Sequence, residues 1–328
     1  MAVYTPLSLT QAEQLLAPYA LDPIIQHSGI SDGIENTNYL TSTLNNGYIL
    51  TIFEHYTAPQ LDYFFQLLEY LSKQGIPVPQ RIKPALQPHS LPTWHDKPIA
   101  LFQQLAGNSI QHSSAQHCTQ IGQALAQLHI AGKNFTLLRK NPWTLTQIVN
   151  ISHTLVDFLT PQEHALLKDE LSFQQKITNN DLPQGLIHAD LFRDNALFVE
   201  DQLSGIVDFY EACHAPFLFD IAISVNDWCI GDDQYIDAQK TRAFLHAYEG
   251  IRPLTDNEKQ QYSTMLRLAA LRFWLSRLRY QHSNQQAGKD HELITHSDQN
   301  KDPDVLKSLL LKHREQITFC QSLLYENN

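Results

Sequence analysis

At 328 residues with 43% apolar side chains, the chain is long enough to bury a full core as one large domain or two lobes, with no need of disulfide staples. A formal charge of −11, from 23 basic and 34 acidic residues, argues against nucleic acid and anionic membrane surfaces as partners, since either calls for a basic face. Four cysteines, Cys118, Cys213, Cys229 and Cys320, occur without a C-x-x-C pair, which points to free thiols in a reducing cytosol and away from a cysteine zinc site.

No stretch approaches the roughly 18 apolar residues of a membrane span. Residues 1–30 hold no Lys or Arg and no continuous apolar core, so no leader is expected and a cytoplasmic location is. Residues 8–20 open on Ser8 or Thr10 as an N-cap and run into helical spacing that ends at Pro18. In residues 29–40, GISDGIENTNYL, Gly29, Ser31, Gly33, Asn36 and Asn38 precede Tyr39-Leu40. Alternation continues through Thr43, Asn45-Asn46-Gly47 forms a turn, and Tyr48–Phe53 returns as the second strand of a β-hairpin. The glycines would let backbone amides approach a phosphate, but without G-x-G-x-x-G an ordinary hairpin connection explains them as well.

Leu61, Phe64, Phe65, Leu68 and Leu71 mark an amphipathic helix closed by Gly75, with Glu69 upon it. Pro98–Phe102 reads as a strand and Gln103–Gly107 as its exit, with a lobe boundary near residue 105. Ile121, Leu125 and Leu128 predict a buried helix over His112–Ala131, ending beside His129, which is read as a core or capping histidine. Residues 141–182 read as helical and connective, punctuated by prolines.

Leu186–Tyr210, LIHADLFRDNALFVEDQLSGIVDFY, carries the chemistry. H-x-D-x-x-x-x-N over His188–Asn195 is followed, thirteen residues after Asn195, by Asp208 at the end of an apolar run. In protein kinases this order serves an Asp that accepts the acceptor hydroxyl's proton, and an Asn and a later Asp that hold Mg²⁺. A hairpin would set the loop beside the end of its return strand, so Asn195 and Asp208 could meet one ion as hard oxygen ligands. A solvated turn in which Asp and Asn cap backbone amides is the plain alternative.

Pro216–Ile221 is apolar except for Asp220, an acid too costly to bury unpaired and therefore expected to brace backbone near the loop. In Met265–Leu278, MLRLAALRFWLSRL, Arg267, Arg272 and Arg277 stand in a helix apolar on nearly every face. Structural salt bridges are one reading; the other is that one planar guanidinium receives a substrate carboxylate. Residues 283–304 read as polar loop and 305–324 as a final helix.

Taken together, the Gly29–Tyr39 loop, Gly75-Ile76-Pro77-Val78-Pro79, HADLFRDN, DFYEAC at 208–213, Asn226-Asp227-Trp228-Cys229 and LRFWLSRL at 271–278 resemble the aminoglycoside-phosphotransferase and choline-kinase group, and within it the homoserine kinases built on that fold. The resemblance implies an α+β, protein-kinase-like two-lobed fold: a small β-rich N-lobe over 1–105 that binds nucleotide, and a larger, mainly helical C-lobe over 106–328 with the catalytic loop and substrate-binding helices. It implies Asp190 as the catalytic aspartate and Asn195 and Asp208 as Mg²⁺ ligands. ATP is then expected against Gly29, Ser31, Gly33, Asn36, Asn38 and Thr51, with Gln103, Gln104 and Leu105 as the hinge that meets adenine through its backbone. The implied acceptor is L-homoserine, giving O-phosphohomoserine on the way to threonine.

One feature departs from the kinase pattern. Residues 1–72 contain no Lys or Arg, and Thr51 stands where a strand lysine usually holds the phosphates, which puts the usual Lys–Glu pair and any part of Glu69 in doubt. An amino-acid acceptor needs an anion for its ammonium and a cation for its carboxylate. Asp194 and Asp227 are candidates for the first and Arg272 or Arg277 for the second, with Tyr210, Trp228 and Trp274 as walls. Choline, an aminoglycoside or a sugar is the rival acceptor. A nucleotide-binding protein without catalysis, favoured by the missing lysine, is the rival outside enzymes.

Overall fold

The alternation read over the first hairpin folds as β2 (Thr37–Ser42) and β3 (Gly47–Ile52), antiparallel with Thr37 opposite Ile52 and Ser42 opposite Gly47. The computed structural model describes residues 4–30, 36–88, 90–177, 181–286 and 302–325. Ser31 and Gly33 of the expected phosphate loop lie outside these residues, as do 287–301 of the polar stretch before the last helices.

The chain divides into two compact units, Met1–Ser109 with Ala196–Glu200 and Ser204–Tyr210, and Ile110–Asn195 with Asp201–Leu203 and Glu211–Asn328. In the first, the sheet runs β1 (Gln26–Gly29), β2, β3, β6 (Lys97–Gln103), β4 (Arg81–Ile82), with β5 (Thr93–Trp94) also on β6. Period-two alternation gives the sheet two faces. Tyr39, Leu50, Ile52, Ile99 and Leu101 pack one face against Leu7, Ala12, Leu16 and Tyr19. Ala12 and Leu16 belong to α1 (Leu9–Leu16) and Tyr19 to the turn after it, and α1 starts where Ser8 and Gln11 form a reciprocal capping box. On the opposite side Phe65 of α2 (Ala58–Lys73) meets the rings of Phe53 and Phe102 at 6.1 and 6.2 Å. Helix α2 ends at Gly75, whose φ of 82° suits the left-handed residue that closes a helix.

The second unit is mainly helical: α3 (Ala115–Ala131), α4 (Leu145–Leu155), α5 (Pro161–Gln175), α6 (Phe217–Trp228), α7 (Ala238–Glu249) and α8 (Asp256–Gln286). A short ribbon joins β7 (Gln184–Ile187) to β10 (Cys213–Pro216), Ile187 opposite Cys213. Its largest fully buried side chains include Trp228, Trp274, Tyr248, Tyr262 and Phe244. Arg267 of α8 donates through Nε to Glu170 of α5 at 3.1 Å, both groups buried, and stacks on Phe173 at 3.6 Å. Strands β8 (Ala196–Val199) and β9 (Gln202–Ile206) form a hairpin whose turn residues Glu200 and Asp201 both have positive φ, 47° and 61°, the two-residue turn that matches strand twist. The expected single final helix is two, Pro303–Glu315 and Ile317–Ser322. Among the described residues no helix is long and apolar enough to cross a membrane, and the four cysteines are free and buried.

His313 of the helix Pro303–Glu315 is buried, its Nε2 2.8 Å from Asn226 Oδ1. Burial, and then the Arg267 charge, pull its imidazole down to about 3. Between that value and the unfolded 6.5, only the unfolded chain carries the proton, so stability falls as pH falls. Denaturant titrations at pH 7 and 5 should show wild type losing about 2 kcal/mol more than His313→Gln, which keeps a donor for Asn226 but has no proton to gain.

Candidate active site

The loop 188–195 follows β7 and is held by one helix. Asp220, Asp227 and Trp228 of α6 are spaced i, i+7, i+8, which puts them on one helical face. Asp220 accepts from the backbone N–H of His188 and of Ala189, each at 2.8 Å. Trp228 Nε1 donates to the Leu191 carbonyl at 3.0 Å, and Asp227 accepts from the Arg193 backbone N–H at 2.7 Å. The Arg193 guanidinium grips Asp227 bidentately, Nε–Oδ2 and Nη2–Oδ1 both 3.1 Å. Burial works against the Arg193 charge, but Asp227 more than restores it, so its pKa is raised.

Behind Asp220 runs a buried chain of hydrogen bonds. His129 lies 3.0 Å from Asp220 through Nε2 and 2.6 Å from the Tyr248 hydroxyl through Nδ1. Arg252 Nη1 donates to the same hydroxyl at 3.2 Å and its Nη2 to Glu258 at 2.9 Å. Burial opposes charge on both partners of the first pair. It holds His129 below its usual range, so the imidazole is neutral, with Nε2–H donating to Asp220 and Nδ1 accepting from Tyr248. Asp220 stays ionised despite burial because His129 and the loop amide of His188 hydrogen-bond the charged form.

Held this way, Ala189 takes a φ of 64°, unusual for a residue with a Cβ. The turn presents Asp190, whose side chain is 24% exposed. Asn195 Nδ2 donates both to the Asp190 carbonyl, at 2.8 Å, and to Asp190 Oδ2, at 3.0 Å. That use of its nitrogen fixes the amide's orientation and leaves Oδ1 as its acceptor atom. Arg272 of α8 approaches Asp190 Oδ1 at 4.0 Å and donates to Glu211 Oε2 at 3.3 Å, with Trp143 Nε1 on the same oxygen at 3.0 Å. The Arg272 guanidinium lies over the rings of Trp143 and Phe273, at 4.4 and 3.6 Å. Glu211 and Trp143 escaped the sequence reading: nothing in a local pattern joins residues 61 and 68 positions apart.

Three expected substrate contacts have other surroundings. Asp227 is engaged by Arg193, and Trp228 and Trp274 are fully buried, Trp228 behind the loop. Their helical spacing with Asp220 was the available sign for Asp227 and Trp228. Asp194 sits in the short 3₁₀ turn Arg193–Asn195. Arg277 donates to the Asp302 carbonyl at 3.3 Å; burial pulls its guanidinium down to about 10, against Asp227, Asp194 and Asp190.

In the first unit, Asp208 follows β9 by two residues, exposed and with a φ of 62°, a conformation aspartate tolerates better than most side chains. Tyr210 packs among Phe53, Phe64 and Tyr56, ring centroids 5.5, 5.4 and 5.7 Å away. Gly29 ends β1, and Asn36 and Asn38 flank the start of β2. Thr51 is buried and its hydroxyl donates to Asn38 Oδ1 at 2.8 Å, while the buried Asn36 Oδ1 has no partner among the described residues. In the expected hinge, Gln103 N–H donates to the Gln80 carbonyl and Gln104 N–H to the Gly47 carbonyl, so of the three expected residues only the Leu105 backbone makes no hydrogen bond among the described residues. Gly107 carries a φ of 101°, and a Cβ there would lie 2.5 Å from the Phe198 carbonyl oxygen, so no other residue fits the hinge exit. Glu69 pairs with Lys73 and Lys83 on the exposed end of α2. Glu54, half-buried, accepts from Thr37 Oγ1 at 2.6 Å and pairs with Lys97. Among the described residues, no group of three His, Cys, Asp or Glu side chains could hold a metal by itself.

Residues 26–254 match the phosphotransferase enzyme family, APH. A homoserine kinase of Methylobacillus flagellatus is 42% identical over 97% of this chain and 98% of its own, and one of Janthinobacterium sp. is 37% identical over the same shares. A spectinomycin phosphotransferase structure with ADP and spectinomycin superposes with a TM-score of 0.70 at 14% identity, covering 98% of this chain and all of that one. A microcompartment-associated aminopropanol kinase gives 0.67 at 16% identity, over 96% and 99%. These two show the kinase-like α+β fold. The chain belongs to the APH phosphotransferase enzyme family, within the group formed by its homoserine kinase relatives.

Proposed function

We propose that this protein transfers the γ-phosphoryl group of ATP to the side-chain hydroxyl of L-homoserine, releasing ADP and O-phospho-L-homoserine. The observation that carries this reading is near full-length likeness to homoserine kinases, joined to a loop in which Asn195 orients an accessible Asp190. Asp190 orients the acceptor hydroxyl and takes its proton as the bond to phosphorus forms. Asn195 serves twice, its nitrogen fixing Asp190 and its oxygen facing the phosphates. Leu105 offers the hinge backbone to adenine.

The donor set fits Mg²⁺. Asn195 Oδ1 and Asp208 are hard oxygens, and two protein ligands suit an ion that keeps waters and takes phosphate oxygens rather than an all-protein cage. A hairpin returns its ends side by side, which supports assigning both residues to one ion. When bound, that ion neutralises charge on the β- and γ-phosphates. With Thr51 in place of the usual phosphate-binding lysine, the phosphates depend on this charge and on neutral donors such as Asn38.

The test is ADP release with L-homoserine, choline, kanamycin or no acceptor, with and without Mg²⁺. Homoserine alone, and only with Mg²⁺, should support release. Activity with choline instead would overturn the acceptor, and silence in every mixture would overturn catalysis.

A further inference from the structure

Glu211, two residues before β10, uses one carboxylate oxygen twice. Its Oε2 accepts from Arg272 Nη2 at 3.3 Å and from Trp143 Nε1 at 3.0 Å. Two donors on one oxygen fix how the carboxylate is turned, and Oε1 hydrogen-bonds nothing among the described residues. The side chain is 23% exposed, as Asp190 is, and Oε1 is not a buried atom, so a ligand can reach it. Arg272 ties this acid to the loop 188–195. Its Nη1 lies 4.0 Å from Asp190 Oδ1 while its Nη2 holds Glu211, so one guanidinium stands between two carboxylates that are at most about 10 Å apart, oxygen to oxygen. One positive charge against two negative leaves this trio short of a cation. The neighbouring arginines do not supply it: Arg139 donates to the Ala212 carbonyl at 3.0 Å, Arg279 lies over the Trp143 ring at 5.1 Å, and neither pairs with Glu211.

An acceptor with a hydroxyl at one end and an ammonium at the other fits between these two acids. Extended L-homoserine sets its nitrogen about 5 Å from its hydroxyl oxygen, and a hydrogen bond of about 3 Å at each end brings the span to about 10 Å. An ammonium offers donors only, and its bond to a carboxylate oxygen is charge-assisted. Asp227, the acid that sequence suggested for this task, is gripped bidentately by Arg193. We propose that Glu211 Oε1 receives the ammonium group of the acceptor while Asp190 takes its hydroxyl, with Arg272 holding the two carboxylates at that separation. This assignment rests on the homoserine reading above.

The experiment compares three small molecules in wild type, Glu211→Gln, Glu211→Asp and Asp194→Asn. L-Homoserine carries both charged groups, 3-aminopropan-1-ol lacks the carboxylate, and 4-hydroxybutanoate lacks the ammonium and is read as a competitive inhibitor. Glu211→Gln keeps an oxygen for Arg272 and Trp143 and puts an NH₂ where the open oxygen was. It should raise the homoserine KM roughly 10- to 100-fold relative to the inhibition constant of 4-hydroxybutanoate, and weaken 3-aminopropan-1-ol by the same factor. Glu211→Asp, which keeps the charge one methylene further back, should retain part of the preference and guards against misfolding of the Gln variant. Equal weakening of all three molecules in Glu211→Gln overturns the proposal and leaves Glu211 as a support for Arg272. Collapse of the preference in Asp194→Asn but not in the Glu211 variants overturns it too. A wild type that phosphorylates 3-aminopropan-1-ol but not homoserine overturns the acceptor reading, and the loss or retention of that activity in Glu211→Gln then decides the ammonium assignment by itself.

Discussion

Asp190→Asn should lower kcat with L-homoserine by about 10²- to 10⁴-fold, the range that a positioned general base supplies. The substitution is nearly isosteric and leaves the scaffold of the loop untouched. The Asp190 backbone N–H still meets His188 Nδ1 at 3.2 Å, and its carbonyl still accepts from Phe192 and Asn195. The new amide would turn its oxygen to Asn195 Nδ2 and its nitrogen to the acceptor, where a hydrogen-bond donor cannot take a proton. Arg272, 4.0 Å away, would lose a counter-charge but keep Glu211. Thermal unfolding and ADP binding, measured by calorimetry, should therefore match wild type. Near-normal turnover in this variant would place the base elsewhere and remove the reason for reading the loop as catalytic.

How much of this was legible from residues alone follows from how local each cause is. Helix α2 and the first hairpin were legible because burial on one face imposes a period, and the loop 188–195 stood out because its polar residues stand at the spacing phosphoryl transfer uses, which is what the proposed function builds on. Asp220 was legible by contradiction, an acid in an apolar run that must find partners. Asp227 and Trp228 carry the same information, but their polar groups suggested substrate, and only the helical face they share with Asp220 ties them to Arg193 and Leu191. Tyr248, Arg252 and Glu258 were not legible as part of the brace. Tyr248 stands 119 residues from His129, a separation at which single-chain patterns are silent. The ribbon of β7 and β10 was hidden for a related reason: four-residue strands leave too few alternations to count. Between Arg272 and Arg277, the helical pattern gave no preference, because what separates them is the company each keeps on other elements.

The brace has its own large consequence. Asp220→Asn should cost about 3–5 kcal/mol of unfolding free energy, the range for breaking a buried charged network from one side. Three donors converge on this carboxylate: the N–H groups of His188 and Ala189 and His129 Nε2. An asparagine offers one oxygen and turns an N–H toward a donor, so at least one buried group goes unsatisfied. His129 could answer by changing tautomer, but its Nδ1 would then present a hydrogen to the Tyr248 hydroxyl, which already accepts from Arg252. The strain therefore returns to the loop, where Ala189 holds its left-handed φ only while its amide is bound. Relaxation there moves Asp190, and a displacement near 1 Å is enough to lose about 100-fold in rate. Urea titration and steady-state kinetics well below the melting temperature read the two effects separately. A variant that loses stability yet keeps full kcat would show that α6 holds the core together without positioning Asp190.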